Sequence, residues 1–338
     1  LRPIRFIAYI NQGLSAKTQE TFSHARETSR MTTPFAGIRN RYLSDKSWFH
    51  SLLLLALASA TLTMWKLADV SRSEYYAAIA KSMSLSWKNF IFGAIDPAGT
   101  VTLDKIPGSY WFPALFARTF GFSTWAITAP NALAAVGTVI VVAVTARNLF
   151  GRTAGILAGA VIATTPIVIA VSRSNQPQSF FLLTISLAAW QAAKALSTSS
   201  RKHLIYAGAF IALAFHTYML VAWAVWPALI IAWFFTDGTW GKKVIDLLIA
   251  GVTSLLLSFT WIAIATFTPK SQRPYIGGTL HNSAFEMVFG YNGLGRFSSS
   301  QSGGLSQATD NPNYRSFTPP FGGCLLYTSP SPRDLSTS

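Results

Sequence analysis

One cysteine, Cys324, is all the chain contains. That excludes an internal disulfide framework and any cysteine-rich metal site. Charge is scarce too, at 12% of the 338 residues, and carboxylates are the scarcer sign, 12 against 27 lysines and arginines. The phosphate-binding GxxxxGK[ST] loop, the GxGxxG dinucleotide fingerprint and the HExxH zinc motif are all missing, as is any internal repeat. These absences remove the common nucleotide-dependent and zinc-hydrolase classes from consideration.

What is present is apolar: 51% of the residues are hydrophobic, gathered into uninterrupted runs of membrane-spanning length. The expected fold class is all-α, a polytopic membrane protein of about seven spans. The runs lie at 48–67, 124–146, 154–170, 180–195, 204–215, 219–235 and 244–267. The last pair before 244 is joined at HTY, and the 204–215 run is short for a full crossing. A formal charge of +15 would raise nucleic-acid binding in a soluble protein. Here the basic residues are spread among loops rather than gathered on one face, so no nucleic-acid partner is expected. They cluster before the first span (Arg39, Arg41, Lys46) and at RNLFGR, STSSRKH and GKK, which the alternation of spans puts on one side. The positive-inside bias makes that side cytoplasmic, along with the N-terminus.

Both ends of the chain stand apart. Residues 1–30 show no targeting or amphipathic pattern and Met31 is the expected start, unless the chain is a piece of a longer one. The stretch 324–338, CLLYTSPSPRDLSTS, resembles translated adapter sequence and is set aside. The expected domain is thus 31–323.

Against this background FGAIDPAGTVTLDKIPGSYW, residues 92–111, is an anomaly: two aspartates and a lysine in the longest gap between apolar runs. The preceding SEYYAAIAKSM puts Tyr76, Ile79, Ala80 and Met83 on one helical face. With Trp87, Phe90, Phe92, Trp111 and Phe112 nearby, the segment reads as helices lying along the outer membrane surface. The same topology brings Glu74, Asp96, Asp104, Lys105, Arg173, Asn175, Gln176, His216 and Tyr218 to the outer face. Carboxylates beside a membrane are costly unless paired or wet, so an outer pocket rich in both signs suggests a charged ligand. A phosphate on a lipid tail fits: Lys105 and Arg173 would neutralise the leaving phosphate, while an aspartate takes a proton from the attacking hydroxyl.

Each residue also has a plainer reading. Asp96 opens Asp-Pro-Ala-Gly and can simply cap a turn. Asp104–Lys105 can be a solvated neighbour pair, although its place before an aromatic membrane entry favours function. Glu74 at a helix start favours the helix dipole without further duty. Arg173 at the boundary can snorkel to headgroups, and His216 reads first as an interface histidine. Two aspartates eight positions apart are a weak metal signal without further ligands. No metal site or certain cofactor is therefore expected, and a need for a divalent ion stays open.

SEYYAAIAKSM, SWKNFIFGAIDPAGTVTLDKIP, SRSNQPQSFFLL and RPYIGGTLHNSAFEMVFGYNGLGRF together resemble the actinobacterial branch of family 39 glycosyltransferases. Its relatives include the protein O-mannosyltransferases and the aminoarabinose transferases of lipid A. The resemblance covers about 31–323. It implies a GT-C fold with surface helices in the first outer loop, and a plasma-membrane transferase that takes a hexosyl or pentosyl group from a polyprenyl-phosphate donor. The acceptor, a protein or a glycolipid, would lie on the outer face, and a further C-terminal region is implied. Residue by residue it marks Asp96, Pro97 and Gly99, then Asp104, Lys105 and Pro107, with Ile106 replacing a proline. Asp104, Asp96 and Glu74 are the catalytic candidates, Lys105 and Arg173 hold donor phosphate, and Asn175, Gln178, His216 and Tyr218 line the substrate. Gln178 stands where relatives carry an acid, and Tyr218 where many carry a lysine. Those departures keep a catalytically inactive family member in view. The rival from another class is a transporter or flippase for lipid-linked sugars, disfavoured because the spans are almost free of charge.

Overall fold

A computed structural model describes the backbone of residues 34–296 and, inside it, the side chains of 46–295. The leader at 1–30 and the tail at 324–338 lie outside the described residues. The described part is helical, without strands beyond two isolated bridges, Ala94 with Thr102 and Val101 with Tyr275.

The long helix α1, Pro34–Met64, leads into a 3₁₀ turn at Leu67–Asp69. The first loop then holds α2 (Glu74–Leu85), α3 (Trp87–Phe92), a second 3₁₀ turn at Pro107–Tyr110 and α4 (Trp111–Phe120). Next come α5 (Thr124–Phe150), α6 (Arg152–Thr164), α7 (Pro166–Ser172), α8 (Gln178–Thr198) and α9 (Arg201–Tyr218). A 3₁₀ stretch at Met219–Val225 leads to α10 (Trp226–Phe234), α11 (Trp240–Ser258) and α12 (Thr260–Phe267).

The boundaries follow local chemistry. Ser123 caps α5 by accepting the Ala126 amide, and Gly151, at φ 91°, ends it. Pro166 holds Thr165 extended and bends α6 against α7 by 58°. Helices α11 and α12 meet at 41°.

Large apolar side chains face outwards. Leu54, Leu157, Val161, Leu248 and Leu256 are all exposed, whereas Ser59, Thr63, Asn131, Thr138 and Ser258 are buried. An apolar outside of this extent over a small-polar inside is the arrangement of a bundle solvated by lipid tails. By length and composition, four helices qualify as spans, and six when each bent pair counts as one.

One of the six, Arg201–Phe234, is a folded pair. At about 1.5 Å per residue in α-helix and 2.0 Å in 3₁₀ it is nearly twice a bilayer's hydrocarbon thickness. Met219 takes a left-handed φ of 53° and the chain reverses there, so that the Trp223 ring returns to 4.9 Å from Phe215. Contacts with α11 and the start of α12 agree. Arg201 pairs with Asp246, a side chain at Gly208 would meet the Ala250 carbonyl at 2.6 Å, and His216 reaches Thr260. Helices α9 and α11 therefore run parallel, which requires a return pass between them. That return is α10, whose Phe234 carbonyl accepts Lys243 Nζ at 2.9 Å. The break read from the sequence at HTY is thus a reversal of the chain.

Candidate active site

The first loop folds onto the end of the bundle away from RNLFGR and GKK. In α2, Ile79 and Met83 are fully buried and pack with Leu103, Tyr110 and Ala114, with Tyr76 alongside. The face expected from the spacing is the face that packs. The turn at Pro107–Tyr110 sits directly on the end of α9: a Cβ on Gly108 would lie 2.3 Å from the His216 carbonyl. Buried Ser109 bonds to the carbonyls of Pro177 and Thr217, at 3.2 and 3.1 Å. One serine therefore pins the first loop to both neighbouring turns.

Asp104 and Lys105 form an ion pair, Nζ 2.9 Å from one carboxylate oxygen and 3.1 Å from the other. The pair is about one-fifth exposed, open enough for a ligand and enclosed enough to strengthen charge interactions. The segment after α12 forms its other wall. Thr102 donates its amide to Tyr275, Tyr275 donates to Thr100 and Gly277 donates to the Thr102 hydroxyl, at 2.8, 2.8 and 3.0 Å. Asn292 Nδ2 donates to the Asp104 carbonyl at 2.7 Å. Tyrosines surround the pair. Desolvation, then the Asp104 carboxylate, pushes the Tyr75 phenol above its usual pKa, with a smaller contribution from Tyr291. Tyr110 is buried against Tyr76, ring centroids 5.0 Å apart. Burial and then Tyr76 push that phenol up as well. A carboxylate, an ammonium and the more open phenols of Tyr75 and Tyr291 at one rim can accept a proton, hold an anion and stack on a sugar-sized ring.

The other candidates have different surroundings. Asp96 is spent on its turn: its carboxylate accepts the Thr100 hydroxyl at 2.6 Å and the Thr100 and Val101 amides at 3.0 and 3.3 Å. Desolvation pushes its pKa up, but those hydrogen bonds outweigh it and hold it below the usual carboxylate range. Gly99, at φ 71°, closes the turn. Glu74 is largely exposed and paired with Arg72, whose other nitrogen reaches Thr124 at 3.0 Å.

Asn175 is buried and binds the Ser73 backbone twice, accepting its amide and donating to its carbonyl, each at 2.9 Å. It fixes the residue that begins α2. Gln178 opens α8 with a buried Oε1 that has no partner. His216 is buried, bonded to the Ala212 carbonyl and the Thr260 hydroxyl at 2.9 Å each. Tyr218 packs on Phe181 at 5.2 Å.

Arg173 does not join Lys105. It donates to the Leu62 carbonyl at 3.1 Å and lines a separate cleft with Lys66, Asp69 and Ser71. Sequence reasoning put both cations in one outer pocket, at one phosphate; the structure sets Arg173 at the Lys66–Ser71 cleft instead. Sequence reasoning also passed over Tyr75, Tyr110, Tyr291 and Asn292 as site residues, although YY and FGYNGLGR were visible blocks. Among the described residues no group of three or more His, Cys, Asp or Glu side chains is placed to hold a metal ion.

Residues 104–264 match the sequence family described as dolichyl-phosphate-mannose-protein mannosyltransferase. The match opens on Asp104 itself. Two Bacillus subtilis (strain 168) proteins, described as "Putative mannosyltransferase YkcB" and "Putative mannosyltransferase YycA", are each 36% identical to this chain, over 255 and 256 residues. The alignments cover 75% of this chain but 36% and 37% of those proteins. The chain spans little more than a third of the length of these curated relatives.

Proposed function

We propose that this chain is part of a GT-C membrane glycosyltransferase of the protein mannosyltransferase type, in the branch its sequence blocks resemble. It moves a sugar from a polyprenyl-phosphate donor to an acceptor at the outer face of the plasma membrane. The observation that carries this reading is the Asp104–Lys105 pair in a tyrosine-rimmed wall, at the position where the family match begins. The likeness to two mannosyltransferase-named proteins supports the transferase class, and the basic residues at the opposite end support the orientation.

The step is a displacement at the anomeric carbon. The acceptor oxygen forms a bond to that carbon as the bond to phosphate oxygen breaks, and the leaving phosphate keeps the electron pair. The acceptor's proton goes to the Asp104 carboxylate. Lys105 leaves Asp104 for the incoming phosphate, which frees the carboxylate oxygens and neutralises the leaving group in one movement. Attack from the face opposite phosphate inverts the anomeric centre. Asp96 holds its turn, Glu74 and Asn175 hold the start of α2, and His216 supports Gly108 from below. Gln178 and Tyr218 lie at the adjoining turns as substrate-side residues.

The test is transfer by the purified protein in liposomes from a defined polyprenyl-phosphate sugar. Asp104→Asn and Lys105→Gln should each lose activity by two or more orders of magnitude, the range of general acid–base and charge stabilisation. Full transfer in both variants, or lipid scrambling without transfer in the parent, overturns the reading.

A further inference from the structure

A second polar site lies on the same face, apart from Asp104–Lys105. It is a cleft of about 450 Å³ lined by Lys66, Asp69, Val70, Ser71, Ala170, Arg173 and Ser174. It forms where α1 ends and the α7 turn begins. Lys66 takes a left-handed φ of 48°, turning the chain sharply so that the residues after α1 face back towards Arg173. The Arg173 guanidinium is fixed at the wall by the Leu62 carbonyl, 3.1 Å from Nη1. Two cations and one carboxylate leave the cleft with one net positive charge.

Below it the bundle is bare apolar surface: Leu62, Trp65 and Ile167 are exposed to 40%, 66% and 66%. Trp65 adjoins Lys66, at the position where an indole anchors to the water–lipid boundary. The occupant this arrangement fits has a tail for that apolar wall and a phosphate for Lys66 and Arg173, with the Ser71 hydroxyl beside it. A free phosphate shares the head chemistry but leaves the apolar wall unused.

We propose that this cleft is a binding site for the phosphate headgroup of an anionic membrane lipid. It is separate from the donor-phosphate position at Lys105, and the proposal stands whether or not the chain transfers sugar. Each basic residue near a membrane surface is attracted to anionic lipid by a factor of about five in a binding constant. One net charge therefore predicts roughly fivefold enrichment, and removing Asp69 predicts about twenty-fivefold.

The experiment uses the full chain in phosphatidylcholine nanodiscs containing a small fraction of phosphatidylglycerol. One lipid or the other carries brominated acyl chains. The Trp65 fluorescence component, isolated by difference against Trp65→Phe, reports which lipid is adjacent. The parent should show phosphatidylglycerol enriched several-fold, Lys66→Gln should bring it to parity, and Asp69→Asn should raise it about fivefold over the parent. Lys88→Gln removes an exposed cation elsewhere on the first loop and should change nothing. Equal quenching by both lipids in the parent overturns the proposal, as does an effect of Lys88→Gln equal to that of Lys66→Gln. Inorganic phosphate at constant ionic strength supplies the last arm. Enrichment that survives millimolar phosphate supports the lipid as occupant, and its loss overturns the membrane source in favour of the free anion.

Discussion

Asn175→Ala tests whether the turn after α7 sets the position of the first loop. The Asn175 side chain acts as a piece of backbone, accepting the Ser73 amide and donating to the Ser73 carbonyl, 2.9 Å each. Alanine removes both bonds and leaves two main-chain groups to find water. Each bond contributes about 0.5–1.5 kcal/mol net, so the start of α2 should open more readily by about 1–3 kcal/mol. Through the tenfold per 1.4 kcal/mol relation, amide exchange in a peptide containing Ser73 should speed up roughly five- to 150-fold. The Asp96–Val101 turn has its own internal hydrogen bonds and should not change. Asn175→Asp sharpens the test. It keeps the acceptor for the Ser73 amide but sets a carboxylate oxygen against the Ser73 carbonyl, so it should protect no better than alanine. Tyr75 lies two residues beyond Ser73 and beside Asp104; transfer should therefore fall in both variants while the protein stays folded. Unchanged exchange at Ser73 in Asn175→Ala, or full protection in Asn175→Asp, refutes the clamp.

Gly108→Ala puts a methyl 2.3 Å from the His216 carbonyl and should cost about 1–3 kcal/mol in thermal unfolding. Gly241→Ala, with nothing within 4 Å, should cost no more than ordinary surface changes. The Asp96 turn should weaken in acid. Its folded pKa lies below the ordinary value of 3.8, so its stabilisation is complete above that value and is lost as pH falls through the folded pKa. Protection across residues 96–101, taken relative to the intrinsic exchange rate at each pH, should therefore fall in acid in the parent and stay level in Asp96→Asn. At the other end, Arg201→Met strands the buried Asp246 carboxylate and should destabilise by about 3 kcal/mol or less, since the arginine is half exposed. Adding Asp246→Leu to it should recover most of the loss in a denaturation series.

Much of the fold was legible because a membrane chain writes its helices in long apolar runs. The reversal at HTY was legible for the same reason, since two short runs with a polar break cannot be one pass. The packed face of α2 followed from spacing alone, as Ile79 and Met83 show. The site was legible only by residue type. Spacing cannot reveal that Asn292 meets Asp104 across 188 positions, nor that Arg173 turns to Leu62 instead of Lys105. Asn175 shows a further limit: a polar residue in a loop between spans reads as ligand-facing, yet its amide is consumed by Ser73. The missed tyrosines carried a signal, the YY pair at a helix start, but an aromatic at a membrane surface has a sufficient reason to be there already.

The two aspartates of FGAIDPAGTVTLDKIPGSYW show how a carboxylate's neighbours decide its work. Asp96 is held by amides and a hydroxyl of its own turn, whose rearrangement would unfold the loop, so its oxygens cannot be lent to a substrate without that cost. Asp104 is held by one flexible ammonium on the adjacent residue, a partner that an incoming phosphate can draw away without disturbing the main chain. Its backbone is fixed independently, by Asn292 at its carbonyl and by the Thr102–Tyr275 and Thr102–Gly277 bonds just before it. A rigid main chain under a releasable side chain is what a group needs if it is to exchange partners during a reaction. The acid with the stronger hydrogen-bond network is therefore the poorer catalytic candidate, and the network itself is the reason.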